Sequence, residues 1–305
     1  MTLQRSGPDQ AEIADQTSKE AALMWLKDAP LFIDTANLAR VYDAVVRPVY
    51  KEDAPVTIKL TDAIKKELQG KLDGKATAGV APWIDYILKM GVEVSASGQT
   101  TSGSTNTEET TITLYPISTP QRQLEQLAIW YFFNHPDHLL VGGAEQSEHW
   151  QRDGLAERSP RSLVFVDLPK GTKLIPMAAE LQNGCVETFF DKLHAKNGEN
   201  PPKEFLHDKE QDYWNWFDRN FDAQRSIELI EKASTDNKSR IEWIDFRAPI
   251  SDKCSPIHLH MVGGGEYSTG VFAYHLVRRT LGHGSRIVGS LKDGPAINVL
   301  AVYEK

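Results

Sequence analysis

The segment from Ile297 to Tyr303 constrains the fold more than any other part of the sequence. Apart from Asn298, its residues are apolar on both faces of an extended strand. Such a strand is covered on both faces, so we expect it to lie at the centre of a sheet. The unbroken apolar run from Leu163 to Val166 makes the same prediction for a second strand. The sequence therefore predicts a sheet with layers on both sides.

Further strand and helix patterns occur along the whole chain, without an internal repeat of fixed period. Patterns in the second half predict strands over 241–246, 257–262 and 286–291, a long helix over 202–234 and a helix over 269–281. In the first half, Leu38, Val41, Tyr42 and Val45 recur at the spacing of a helix with one buried face. This mixture predicts an α+β fold with mixed β-sheets flanked by helices.

Length and a polar stretch predict two domains. At 305 residues, the chain exceeds the size at which a single core usually stops growing. Residues 142–161 are polar and rich in turn-forming glycine and proline, which favours a linker at 143–161. We therefore expect a disordered segment at 1–18, an α+β domain at 19–142, the linker, and a second α+β domain at 162–305.

The segment from Ser95 to Thr107 is almost entirely Ser, Thr, Gly, Asn and Gln. Residues on either side alternate between apolar and polar, which predicts a β-hairpin over 92–115 with a long flexible tip. Small polar residues of this kind also occur in proteins that insert strands into membranes. A membrane-crossing strand, however, needs about 9–11 residues with an apolar face, and few positions here qualify.

Composition and charge narrow the classes of function. Lys+Arg 34 against Asp+Glu 42 gives a net charge of −8, which disfavours general nucleic-acid binding. No stretch approaches the roughly 20 apolar residues of a transmembrane helix. The polar start lacks a secretory signal, and Cys185 and Cys254 lie too far apart to form a disulfide framework. We therefore expect a soluble, acidic, cytoplasmic protein.

Two histidines on one predicted strand form the main candidate site. His258 and His260 alternate with apolar residues, so both side chains project from one face, about 7 Å apart. Two imidazoles at this spacing can bind one divalent metal ion or act as general acid and base. Candidate further ligands are His283, Glu266 and Asp245. The simpler alternative is that both imidazoles lie on a half-exposed sheet face and bond only to neighbours or water.

Three glycines follow this strand and suggest an anion site. Gly263, Gly264 and Gly265 lead to a predicted helix that Ser268 or Thr269 would cap. Backbone N–H groups in such a turn, together with the helix dipole, can bind an anionic ligand. The dinucleotide-binding pattern and the P-loop pattern are both incomplete here. A turn that only allows close backbone packing is therefore the alternative.

Three other groups are weaker candidates. His135 and His138 are candidates for a metal site, but Pro136 between them breaks the helical spacing that would place both on one face. Cationic imidazoles near a helix C-terminus are the simpler interpretation of this pair. Asp167 follows the apolar run at 163–166, where α/β enzymes often place a catalytic carboxylate. The long predicted helix carries an aromatic stripe, which predicts packing in the core: Tyr213, Trp216, Phe217 and Phe221. The acidic residues of the same helix, which include Asp218 and Asp222, predict a solvated face.

No complete catalytic constellation occurs in the sequence, so the chain is first interpreted as a binding or regulatory protein for a small anionic ligand or a partner protein. The first alternative is a metal- or histidine-dependent hydrolase of a small phosphorylated or acyl substrate, centred on His258 and His260. The second alternative is a membrane-active or assembly protein that uses the hairpin at 92–115. Whether the chain is an enzyme is left open at this point.

Overall fold

The structure is a computed structural model, and its description covers part of the chain. Described are residues 10–46, 56–59, 93–97, 109–114, 119–142, 162–181, 186–188, 241–250, 256–262, 269–292 and 296–305, with most positions between 216 and 231. The chain divides into two compact units, one of Met1–Pro30 with Asn37–Val141 and one of Leu31–Ala36 with Gly142–Lys305. The linker predicted at 143–161 lies outside the described residues, and the domain boundaries stay a prediction.

Helix α1 (Gln10–Leu23) belongs to the first unit and leads into a 3₁₀ turn at Met24–Lys27. The sequence predicts disorder for residues 1–18, and the structure differs from residue 10 onward. One reason why a helix forms here is local. Lys19 Nζ lies 2.5 Å from Asp15 Oδ2, and an ion pair four residues apart stabilises a helix. The helix also ends in buried apolar residues, Leu23 among them, so packing stabilises it.

Two further helices, α2 (Thr35–Val45) and α3 (Pro120–Asn134), follow the predicted apolar spacings. In α2, Tyr42 of the predicted stripe is buried. In α3, the spacing of Leu124, Leu127, Ala128 and Tyr131 in the sequence predicts a single buried face, whereas every residue from Leu124 to Phe133 is buried. Burial on all sides places polar groups away from water, and Tyr42 O–H donates to Gln126 Oε1 at 2.6 Å to satisfy two of them.

A small antiparallel sheet contains β2 (Val56–Lys59), β3 (Glu93–Ser97) and β4 (Glu109–Leu114) in the order β2–β4–β3. Strands β3 and β4 pair antiparallel, as the alternation at 92–115 predicts. Strand β4 also pairs with β2, so its backbone is hydrogen-bonded along both edges. The tip of the hairpin, residues 98–108, lies outside the described residues.

The second unit contains a larger sheet. Its strands are β1 (Phe32–Ile33), β6 (Leu163–Leu168), β7 (Ile175–Leu181), β8 (Val186–Thr188), β9 (Ile241–Ala248), β10 (Ile257–Val262), β11 (Ser285–Leu291) and β12 (Ala296–Glu304); β5 (Leu139–Gly142) precedes β6 in the chain. The order is β6–β11–β12–β10–β9–β7–β8, with β1 also paired to β12. Strands β10 and β12 are parallel while their other neighbours are antiparallel, so the sheet is mixed.

Strand β12 is central, as its apolar sequence predicts. Strand β11 pairs along one edge, and β10 and β1 pair along the other. The side chains from Leu300 to Tyr303 are fully buried. Strand β11 shifts register between Val288 and Gly289, and a Cβ atom at Gly289 would lie 2.4 Å from the carbonyl oxygen of Asn298. Only glycine fits this close approach.

Helix α4 (Thr269–Gly282) contacts β9 and β11. The sequence predicts that one stripe of this helix faces inward, and its members are buried: Phe272, Ala273, Leu276, Val277 and Thr280. The Phe272 ring stacks on Phe32 of β1 with ring centroids 4.4 Å apart. The sequence predicts that His275, Arg278 and Arg279 face solvent, and all three are exposed. The helix therefore packs on the sheet through one apolar face.

The long helix predicted over 202–234 is interrupted within its described part. Residues 218–220 are helical, Phe221 and Asp222 are not, and helical residues resume at Gln224. Phe221 is buried, which confirms core packing for that member of the aromatic stripe. Tyr213 and Phe217 lie outside the described residues.

The helices and the mixed sheet confirm the predicted α+β fold. Within the part of the chain that the structure describes, no helix combines the length and apolar character needed to cross a bilayer.

Candidate functional site

Strand β10 presents two different faces. Ile257, Leu259 and Met261 are buried, whereas His258 and His260 are half-buried on the opposite face. The alternation in the sequence predicts this arrangement, because successive side chains of a strand point to opposite faces. The two imidazoles therefore share one partly accessible face of the large sheet.

The neighbouring strand β9 completes a polar row beside these histidines. In the antiparallel register, Arg247 lies opposite His258, and Asp245 lies opposite His260. On the parallel side, Asn298 of β12 lies beside His260. Directly opposed residues project from the same face, so their side chains form one polar surface.

His260 and Asp245 form a hydrogen-bonded pair within this surface. The Nδ1 atom of His260 lies 2.6 Å from Oδ1 of Asp245. The two side chains are 21% and 38% exposed, respectively, so the pair remains accessible from outside. When the ionised carboxylate accepts the Nδ1–H bond, Nε2 carries the lone pair. That nitrogen can accept a proton, accept a ligand's hydrogen bond or bind a metal ion.

His258 has a different electrostatic environment from His260. Burial lowers the pKa of the His258 imidazole below its ordinary value of 6.5, and the Arg247 guanidinium lowers it further. The carboxylates of Asp245 and Asp218 act in the opposite direction but do not outweigh these effects. His258 is therefore held in its neutral form at pH 7.

Arg247 is held by a buried ion pair that the sequence did not predict. Its Nε donates to Asp218 Oδ1 at 3.0 Å and its Nη2 donates to Asp218 Oδ2 at 2.9 Å. The prediction that Asp218 lies on a solvated helix face is wrong, because its side chain is only 15% exposed and that of Arg247 only 8%. Lys173 Nζ also donates to the carbonyl oxygens of Asp218 and Arg219. These contacts fix the short helical segment at the sheet.

Trp243 and Glu180 extend the polar surface. The indole ring of Trp243 lies 5.5 Å from the His260 ring, centroid to centroid, and its N–H donates to a carboxylate oxygen of Glu180. Sequence reasoning missed both residues. The signal was present, because Trp243, Asp245 and Arg247 alternate with Ile244 and Phe246 at the period of a strand.

The structure does not bring all the predicted ligands together. His283 lies far from His260 along the sheet. His283 precedes Ser285 by two residues, and Ser285 pairs with Glu304 of β12. His260 pairs with Asn298, which is six residues, or roughly 20 Å, from Glu304 along the same strand. Within the described residues, no group of three or more His, Cys, Asp or Glu side chains could hold a metal ion. Glu266 lies outside those residues.

The predicted anion site is described only at its end. Gly263, Gly264, Gly265 and Ser268 lie outside the described residues. Thr269 is the first residue of α4 and is buried, and its hydroxyl donates to the carbonyl oxygen of Glu242 at 3.2 Å. The Thr269 hydroxyl therefore has a hydrogen-bond partner within the sheet.

Asp167, the predicted catalytic carboxylate, lies elsewhere on the large sheet. Its Oδ1 is 2.8 Å from Lys305 Nζ.

Comparison of the chain with models of protein families, with curated proteins and with solved structures finds no match.

Proposed function

We propose that this chain is a binding or regulatory protein whose ligand contacts the polar surface of β9 and β10 around His260. The observation that carries the proposal is the hydrogen bond from His260 Nδ1 to Asp245. It orients an accessible imidazole on a rigid sheet and directs its remaining hydrogen-bonding capacity to Nε2. A cytoplasmic setting is part of the proposal and rests on the sequence alone.

The charges of the described residues favour a neutral or cationic ligand group at this surface. Arg247 is neutralised by Asp218, whereas the Asp245 carboxylate contacts His260 and the Glu180 carboxylate contacts the neighbouring Trp243. The anionic ligand expected from the sequence rests on the glycine turn at 263–265. The ligand at His260 would instead present a hydrogen-bond donor to Nε2 and an apolar side to Trp243.

Thermal melts with a panel of defined compounds test the proposal. The panel contains primary amines, neutral sugars, nucleosides and nucleotides, each measured with wild type, His260→Ala, Asp245→Asn and the exposed control His275→Ala. A compound that binds the folded state raises the melting temperature. We expect at least one compound to stabilise wild type and the control but neither site variant. Equal shifts in all four proteins, or no shift at any concentration, would overturn the proposal.

A histidine-dependent hydrolase is the second candidate, favoured by the same pair. A carboxylate that accepts from Nδ1 leaves Nε2 able to take a proton from water as the water oxygen attacks an acyl or phosphoryl centre. The arrangement also matches metal-binding histidines that donate their second nitrogen to a carboxylate, with His258 as a further ligand. Metal analysis of the purified protein and a panel of ester and phosphoester substrates test this candidate. Turnover that survives in His260→Ala would exclude it.

The pairing of β4 disfavours the membrane-active or assembly alternative. In that alternative the hairpin at 92–115 leaves its sheet to insert or assemble. Strand β4 of this hairpin, however, is paired along both edges, by β2 and by β3. Release of the hairpin would break the β2 pairing, and no observation on the described residues favours that change.

A further inference from the structure

The turn that follows α3 brings two histidines together in the first unit. His135 ends the helix, and its N–H donates to the carbonyl oxygen of Tyr131 at 2.9 Å. A 3₁₀ turn at Pro136–His138 comes next, in which the N–H of His138 donates to the carbonyl oxygen of His135 at 2.9 Å. Side chains three residues apart eclipse each other in 3₁₀ geometry.

Pro136 breaks the helical spacing of the two histidines, as the sequence predicts, because α3 ends at Asn134, but the two rings still lie close together. Proline ends the α-helix, but the tighter turn brings the His138 ring edge-on to the His135 ring. Their ring centroids lie 5.9 Å apart, with the ring planes nearly perpendicular at 88°. His135 is exposed and His138 is half-buried. The pair is accessible, and its backbone spacing is set by two hydrogen bonds.

We propose that His135 and His138 together bind one divalent cation of the late first transition row, such as Cu²⁺, Ni²⁺ or Zn²⁺. Each histidine supplies one ring nitrogen, and water fills the other coordination positions. Both histidines belong to the first unit, whereas His260 belongs to the second.

The distance between the rings fits such an ion. With a metal–nitrogen bond of about 2.0–2.1 Å, the centroid of a bound imidazole lies about 3.2 Å from the ion. Two imidazoles on one ion then have centroids between about 4.5 Å, at a right angle, and about 6.4 Å, when opposed. The observed 5.9 Å falls inside this range. Coordination of one ion requires each ring to direct one nitrogen at it, which leaves the second ring nitrogen of each histidine for other contacts.

Charge and ligand type select the class of metal. Asp137 is exposed between the two histidines, and its carboxylate attracts a cation to the turn. Imidazole nitrogens suit copper, nickel and zinc, whereas magnesium and calcium require oxygen ligands. We therefore expect the affinity order of copper above nickel, with no binding of magnesium.

Trp130 supplies a local reporter for the experiment. Its indole ring lies 4.8 Å from the ring of His135, and Cu²⁺ and Ni²⁺ quench the fluorescence of a nearby indole. Wild type, His135→Ala, His138→Ala and Trp130→Phe are titrated with CuCl₂ and NiCl₂, and with MgCl₂ as the metal control. His275→Ala removes another exposed histidine and is the matched protein control.

Wild type and His275→Ala should show saturable quenching that Trp130→Phe lacks. Loss of even an indirect support of a metal ligand weakens binding about 10–100-fold, so loss of either ligand should weaken it at least about tenfold. Circular dichroism verifies that the variants are folded, and metal content after dialysis gives an independent measure of binding. Unchanged affinity in the double variant His135→Ala/His138→Ala would overturn the proposal. Retained quenching in His260→Ala would separate this site from the proposed function.

Discussion

Strands β12 and β10 are parallel neighbours in one sheet, yet they differ in how many of their faces are buried. Along β12 both faces are buried from Val299 to Tyr303, and the strand is paired on both edges. Along β10 one face is buried, and the other presents His258 and His260. A strand without alternation therefore contributes both faces to the core, whereas its alternating neighbour can expose titratable groups on one face without weakening the core.

A second contrast lies within the polar face itself. Arg247 and Asp245 are two residues apart on β9, and each has an oppositely charged or titratable partner. The Arg247–Asp218 pair is nearly buried and bidentate, and arginine keeps its proton at any physiological pH. The His260–Asp245 pair is accessible from solvent. The first pair therefore stabilises the fold, and the second is available to a ligand.

The largest effect is expected from removal of the central strand. Deletion of residues 297–305 takes away almost all of β12, so β10, β11 and β1 lose their shared partner and the core opens. We expect no soluble, cooperatively folded protein. Size-exclusion chromatography and urea denaturation measure this directly.

Deletion of Lys305 alone is the control for that truncation. Lys305 lies beyond the end of β12, and its ion pair with Asp167 is partly exposed, so the protein should fold normally. A soluble, cooperatively unfolding protein that lacks all of residues 297–305 would contradict the structural role of β12.

The next largest effect is expected for Arg247→Ala. The substitution leaves the Asp218 carboxylate largely buried without its guanidinium, which should lower the free energy of unfolding by about 3–5 kcal/mol. Arg279→Ala is the matched control, because its pair with Glu304 is 45% and 64% exposed, and should cost only about 0–1 kcal/mol. Urea denaturation of both variants gives the two values, and similar losses would show that the Arg247 pair has no special structural role.

The sequence predicts those parts of the fold that depend on local periodicity. The strands at 257–262 and 297–303 and the helix at 269–281 are found almost at their predicted bounds. The parallel pairing of β10 with β12 and the insertion of β1 against β12 were not predicted, because pairing between distant segments leaves no local pattern. The burial of α3 on all sides was not predicted for the same reason, because it depends on distant segments that pack against the helix.

The candidate site was predicted only in part, for a related reason. Alternation places His258 and His260 on one face, and Asp245 was named as a candidate partner, although as a metal ligand rather than a hydrogen-bond acceptor. The acidic residue that matters for Arg247 lies 29 positions away, in a segment whose charges look solvated. Burial of an ion pair depends on tertiary packing, so sequence pattern alone cannot separate Asp218 from its exposed neighbours.

A small effect on stability is expected for His260→Ala, because His260 lies on the accessible face of β10 rather than on its buried face. The lost hydrogen bond involves a carboxylate that water can reach, so the cost should be about 0.5–1.5 kcal/mol. Leu259→Ala, one residue earlier on the buried face, should cost about 2–5 kcal/mol through the cavity it creates. Chemical denaturation compares the two, and equal losses would mean that His260 belongs to the core.

The smallest effect is a pH dependence that comes from His258. Its folded-state pKa lies below the unfolded value near 6.5, because burial and Arg247 disfavour the imidazolium form. The unfolded chain therefore binds more protons than the folded protein as the pH falls through 6.5, and stability falls with it down to the folded pKa. Above that window His258 contributes no such penalty. In His258→Gln this part of the acid loss should disappear, so the free energy of unfolding should decline less steeply than in wild type between pH 7.5 and 5.5, a range chosen to span the ordinary imidazole pKa of about 6.5. Urea denaturation at intervals across that range measures both slopes, and parallel slopes would show that His258 is as well solvated as an exposed histidine.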